Sequence, residues 1–129
     1  MRLDDVFVLA NMDDISRMFR AFSDPIRLRT LHLLLGGEMC VGDLVEVLQV
    51  PQPTASRHLG YLREAGLVRA RRDGRWCFYS LTEPASGFHR RLLDCLGSCF
   101  GEVPELNGDA ERAGRLRATG GCCAAAESR

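Results

Sequence analysis

Three short stretches, met in a fixed order, restrict the possible folds of this chain more than any other feature. Gly37-Glu38-Met39-Cys40-Val41-Gly42-Asp43-Leu44 reads as a helix start. Pro51-Gln52-Pro53-Thr54-Ala55-Ser56-Arg57-His58-Leu59 reads as a turn entering a second helix with a polar side. Arg71-Arg72-Asp73-Gly74-Arg75-Trp76 reads as a basic hairpin, because Asp-Gly between two strand-like runs is a strong two-residue turn signal. Helix, turn, helix and basic hairpin in succession predict a winged helix-turn-helix, mainly α with a small β-hairpin.

The flanking segments fit that frame. Ile15, Met18, Phe19 and Phe22 recur at helical spacing over residues 12–22. Ser23-Asp24-Pro25 then ends one helix and starts the next, with an acidic cap and Pro at the first helical position. The helix after Pro25 buries Ile26, Leu28, Leu31 and Leu34 or Leu35 and stops at Gly36-Gly37. Short helices are expected at 41–48 and 54–65, the latter closed by Gly66, and strands at 67–72 and 75–81. Along the second strand Trp76, Phe78 and Ser80 share one face, and Cys77, Tyr79 and Leu81 the other. A last helix from Thr82-Glu83-Pro84 to about Phe100 carries Phe88, Leu92, Leu96 and Phe100 on one stripe. The expected order is α1-α2-α3-α4-β1-β2-α5, dimerising through the first and last helices.

A chain of 129 residues holds one core. Residues 1–103 are expected to form the DNA-binding and dimerisation domain. Residues 104–129, rich in Gly, Ala and Arg, are expected to be a partly flexible tail carrying Cys122 and Cys123. The start lacks a signal peptide's basic end and apolar run, and no apolar stretch reaches membrane-spanning length. The expectation is a cytoplasmic protein with no membrane partner.

Net charge is zero, yet unevenly placed. Residues 1–50 hold five Arg against eight acids, residues 51–91 eight Arg against three, and the remainder four Arg against six. The positive field therefore coincides with the second helix and the hairpin, where phosphate attraction would be needed. Gln52, Thr54, Ser56, Arg57 and His58 occupy the N-terminal part of the second helix, the part that a helix-turn-helix lays in the major groove. Gln pairs with adenine and Arg with guanine through two hydrogen bonds each. Arg71, Arg72 and Arg75 on the hairpin suit the backbone or the minor groove. The expected partner is double-stranded DNA, bound by a two-fold dimer on an inverted repeat.

From Phe19 to Leu81 the chain resembles the arsenic-repressor (ArsR/SmtB) family of metal-sensing repressors. The resemblance rests on Ser23-Asp24-Pro25-Ile26-Arg27-Leu28, Glu38-Met39-Cys40-Val41-Gly42-Asp43-Leu44, Ser56-Arg57-His58-Leu59, Leu62-Arg63-Glu64-Ala65-Gly66-Leu67-Val68 and Gly74-Arg75-Trp76. It covers about half of the chain and implies a homodimer that represses a resistance or efflux operon until an inducer loosens it from DNA. The family's arsenic site in the third helix resembles Cys-Val-Cys-Asp-Leu. Here Cys40 matches the first thiol and Gly42 replaces the second, so that site is incomplete. The family's zinc site on the last helix pairs Asp and His ligands, an arrangement that His89 and Asp94 do not reproduce.

The chain's own thiols point elsewhere. Six cysteines in a cytosolic setting are expected to be reduced, which favours metal, metalloid or redox chemistry. Cys95 and Cys99 stand four residues apart, on adjacent turns of one helix face. Thiolates suit soft ions. Trivalent arsenic or antimony takes three of them, or two when an organic group or hydroxide fills the third position. Cys77 is the favoured third ligand, with Cys40, Cys122 and Cys123 as the alternatives. The same cysteines would also serve a thiol-redox or reactive-sulfur switch, or a cadmium or lead sensor. A small core hydrophobe is the other common role of a free cysteine. His32 and His89 are expected to be structural and surface residues respectively. No resident cofactor is expected. With no glycine-rich phosphate loop, no Ser-His-Asp or Cys-His context and no paired carboxylates in an apolar setting, the chain is not expected to be an enzyme.

Overall fold

A computed structural model describes residues 11–121. Helix α1 (Met12–Phe22) is capped by Asn11, whose side chain accepts the Asp14 N–H at 2.9 Å. Asp24 caps α2 (Pro25–Leu34) by accepting the Arg27 N–H at 3.0 Å, with Pro25 in the first turn. Both caps satisfy donors that a helix start leaves without partners. Strand β1 (Met39–Cys40) leads directly into α3 (Val41–Leu48). Gln49, left-handed at φ 56°, breaks α3 and opens the turn to α4 (Gln52–Glu64). That helix begins two residues earlier than expected, because the Pro51 carbonyl accepts from both Thr54 and Ala55. Pro53 has no N–H to lose there.

Strands β2 (Val68–Asp73) and β3 (Trp76–Leu81) pair antiparallel around Gly74 at φ 63°. Strand β1 adds to the far edge of β3, matching Met39 to Tyr79 and Cys40 to Phe78, so the sheet order is β1-β3-β2. Two residues are too short to show a strand period, which hid β1 in the sequence.

Helix α5 (Gly87–Ser98) starts later than Thr82. Thr82 is used elsewhere: its hydroxyl donates to the Gly66 carbonyl at 2.6 Å and closes the hairpin onto the end of α4. Ser86 caps α5 instead, accepting the His89 N–H. The buried stripe is therefore His89, Leu93 and Leu96, whereas Phe100 remains exposed. His89, expected at the surface, is only 2% exposed.

The largest departure from expectation lies beyond residue 103. Instead of a flexible tail, residues 104–119 form helix α6 (Pro104–Thr119), with Pro104 in its first turn and left-handed Gly120 after its end. Leu106, Asp109 and Ala113 are its buried residues, at helical spacing, and Leu116 packs against the core. Asp109 is wholly buried and bound by two arginines. Arg29 grips it through Nε at 2.8 Å and Nη2 at 3.0 Å, and Arg112 reaches it at 2.7 Å. Arg117 donates to the carbonyls of Leu33 and Gly37, satisfying acceptors at the end of α2.

The core joins Leu31, Leu33 and Leu34 of α2 to Leu44, Val47 and Leu48 of α3. Leu59 and Leu62 of α4, with Ala21, Met39, Leu67, Val68, Leu96 and Ala113, complete it. Each fully buried leucine contributes about 2 kcal/mol by leaving water. Among the described residues, no helix is long and apolar enough to cross a membrane.

Candidate nucleic-acid interface and thiol site

Packing decides which side of α4 remains free. Ala55, Leu59 and Leu62 face the core, so Gln52, Ser56 and Arg57 are left exposed at its N-terminal end, with Thr54 half-buried. His58, expected among them, is turned back into the protein. Its Nδ1 lies 3.3 Å from Arg27 Nη1 and 3.7 Å from Asp24 Oδ2, bracing α4 against the start of α2. Arg27 is the hub of that brace, and sequence reasoning missed it. It donates to the carbonyls of Ala21 and Arg20, and its guanidinium stacks 4.1 Å from the Tyr61 ring centroid. Only the side-chain register, fixed by packing, separates Arg57 from His58.

On the wing, Arg72 and Arg75 are exposed, and the Arg75 guanidinium lies 5.1 Å from the Trp76 ring centroid. Arg71 is engaged at both ends. It grips Glu38 through two hydrogen bonds, at 2.7 Å and 3.2 Å, while lying over Phe78. The guanidinium holds the Glu38 carboxyl below the usual carboxylate range. Part of the wing's positive charge is thus neutralised by the segment before β1.

The cysteines fall into separate groups. Cys95 and Cys99 are both exposed, near the end of α5, where the Cys99 N–H donates to the Cys95 carbonyl at 2.8 Å. Their thiols interact. The hydrogen bond with Cys99 pushes the Cys95 thiol above its ordinary pKa, helped by burial and by the repulsion a second thiolate would exert. Ser98 stands beside them, its Oγ 3.9 Å from Cys99 Sγ.

Cys77, the favoured third ligand, lies half-buried on β3 beside Tyr79. Burial, and secondarily Cys77, raise the Tyr79 hydroxyl's pKa. Cys40 is buried at the junction of β1 and α3. Among the described residues, no three His, Cys, Asp or Glu side chains are grouped to hold a metal ion, so Cys77 does not join the α5 pair. Cys122 and Cys123 lie outside the described residues.

At its other end, α5 meets the close of α4. His89 Nδ1 accepts the Ala85 N–H at 3.1 Å. Together with Ala65, Gly66, Ser86, Asp14 and Arg17, His89 lines a cavity of about 210 Å³. Burial lowers the His89 pKa, and the neighbouring Arg90 charge adds to that shift.

An exposed polar helix end, a basic two-stranded wing and the helix-turn-helix beneath them define a winged helix-turn-helix DNA-binding regulator. Residues 24–70 match the family described as bacterial regulatory protein, arsR family. A biofilm growth-associated repressor from Xylella fastidiosa is 39% identical over 100 residues, covering 78% of this chain and 83% of that protein. The arsenical resistance operon repressor of Escherichia coli is 37% identical over 84 residues, covering 64% of this chain and 72% of its own length. A homodimeric winged helix-turn-helix domain from Mycobacterium bovis superimposes with a TM-score of 0.58 at 32% identity, over 67% of this chain and 78% of that one. The chain belongs to the ArsR family of DNA-binding transcriptional regulators.

Proposed function

We propose that this protein is a homodimeric repressor that binds operator DNA and releases it when trivalent arsenic or antimony binds Cys95 and Cys99. The observation that carries this reading is the pair of exposed cysteines one helical turn apart at the end of α5. Support comes from the family, which includes a repressor named for arsenical resistance. Two thiolates four residues apart on a helix chelate one soft centre without moving the backbone.

DNA is read by Gln52, Thr54, Ser56 and Arg57 at the start of α4, and Arg72 and Arg75 of the wing contact the backbone, with Arg71 supporting the wing from Glu38. The dimer face includes Met12 and Phe19 of α1, exposed by 71% and 52%, and Phe88 of α5, whose ring meets Phe19 edge-on at 5.3 Å. An exposed methionine and phenylalanine beside the half-buried Phe88 ring are what a second copy would cover. A two-fold dimer calls for an inverted-repeat operator. Helix α5 is the coupling element, with the thiols at one end and the close of α4 packed near His89 at the other. The protein works in the cytoplasm, where its DNA lies.

The test is fluorescence anisotropy of the reduced protein on its own upstream DNA. Release by arsenite and antimonite at low micromolar levels is expected. Release only by oxidant or persulfide would replace this reading with a redox switch, which the exposed thiol pair also favours. Release by cadmium alone would make the effector a divalent soft metal.

A further inference from the structure

Helix α6 reaches the wing through a short chain of contacts. Arg117, near its end, donates from Nη2 to the Leu33 carbonyl at 3.0 Å and to the Gly37 carbonyl at 2.9 Å. Two glycines make room for it. A Cβ on Gly36 would lie 2.7 Å from Arg117 Nη1, so the guanidinium keeps this place only beside a glycine. Gly37 stands at φ 128°, a backbone that side chains disfavour, and its carbonyl is one of the two that Arg117 holds. The next residue, Glu38, takes the Arg71 fork from β2 at 2.7 Å and 3.2 Å. To get there the Arg71 guanidinium crosses the middle strand, 4.5 Å from the Phe78 ring centroid. This one ion pair therefore ties β2 across β3 to the residue that precedes β1.

As a source of stability this chain is weak, since an exposed ion pair contributes only about 0–1 kcal/mol. As a positioning device it is effective. Each end is a two-point contact, and a guanidinium held at two points is fixed in direction as well as in distance. Arg72 follows Arg71 along β2, and Arg75 lies just across the turn, so the direction of the strand at Arg71 sets where both point. We propose that Arg117 is a positioning residue for DNA binding. It fixes the backbone at Gly36-Gly37, and through Glu38 and Arg71 it holds the wing where Arg72 and Arg75 meet phosphates. This rests on the wing's place in the DNA interface and extends control of that interface to α6.

The test is a double-substitution cycle on the full-length protein, read by anisotropy on its upstream DNA over a series of salt concentrations. Gly36→Ala displaces the guanidinium without altering any charge. Arg117→Met removes the fork and keeps the aliphatic stem. Arg72→Ala with Arg75→Ala removes the wing contacts themselves, and thermal melting follows the fold of every variant. Each of the three is expected to weaken binding by about threefold or more. Each should also make the salt dependence shallower, because fewer phosphates are neutralised. In the wing-substituted protein, Gly36→Ala and Arg117→Met should add nothing, since the contacts that they position are already gone. Losses that multiply in full on top of the wing substitutions would overturn the proposal, because a purely structural α6 acts independently of the wing. Full affinity in both Gly36→Ala and Arg117→Met, beside a weakened wing variant, would overturn it and leave the wing reading standing. Undiminished affinity in the Arg72/Arg75 variant would remove the wing reading and this proposal together.

Discussion

Asp109 has no solvent exposure and lies between two arginines, and this one carboxylate largely explains why residues 104–119 pack as a helix. A buried charge without partners is strongly unfavourable, and the two guanidiniums remove that penalty while tying α6 to α2. The tie is mutual, since the hydrogen bond that Arg29 donates to Asp109 raises the Arg29 pKa above its ordinary value. Asp109→Ala would leave the half-buried Arg29 without its partner. It is expected to lower unfolding stability by about 3 kcal/mol, measured by urea denaturation. A loss below about 0.5 kcal/mol, the level of an ordinary surface change, would mean that α6 is held by its apolar residues alone. The sequence concealed this residue for a physical reason. An acid in a Gly-, Ala- and Arg-rich segment reads as a solvated charge, and its partner Arg29 is eighty residues distant in the chain. His89 and His58 illustrate the same limit, because their inward orientation depends on where α5 starts and how α4 packs.

Among the elements, α4 and the hairpin were legible because each carries its own local signals. Pro51 and Gly66 bracket α4, and Asp73-Gly74 marks the turn between β2 and β3, although Asp73 itself pairs with Trp76 and the two-residue loop falls one position later, at Gly74-Arg75. The start of α5 was not legible, since Thr82, Ser86 and Pro84 all offer start signals and only the Thr82 bond to Gly66 excludes the first. Helix α6 did carry a start and a stop, Pro104 and Gly120, but its low apolar content masked them. For DNA reading, the exposed end of α4 leads to a clear expectation. Arg57→Ala should weaken binding to the cognate operator by about 1–3 kcal/mol and relax base preference at one position, read from competition anisotropy with single-base operator variants. Equal weakening on every sequence would move Arg57 from base contact to phosphate contact.

At the scale of the whole molecule, the zero net charge conceals a division of labour. The basic segment coincides with α4 and the wing, while Met12 and Phe19 of α1 stay exposed in a single copy. The fold class was therefore available from order, spacing and local charge, which also carry the proposed DNA-reading surface. The proposed thiol site keeps only the Cys95/Cys99 pair of the three expected ligands, because Cys77 belongs to the wing sheet and no sequence spacing reveals which strand face meets which helix. The central claim is that one site, Cys95 with Cys99, governs release from DNA. The most direct test is the anisotropy titration repeated with Cys95→Ser/Cys99→Ser beside the unsubstituted protein, with thermal melting confirming that both are folded. The doubly substituted protein is expected to bind the operator with unchanged affinity and to stay bound at arsenical concentrations that fully release the unsubstituted one. Undiminished release from the substituted protein would contradict the account and place the sensing site elsewhere in the chain.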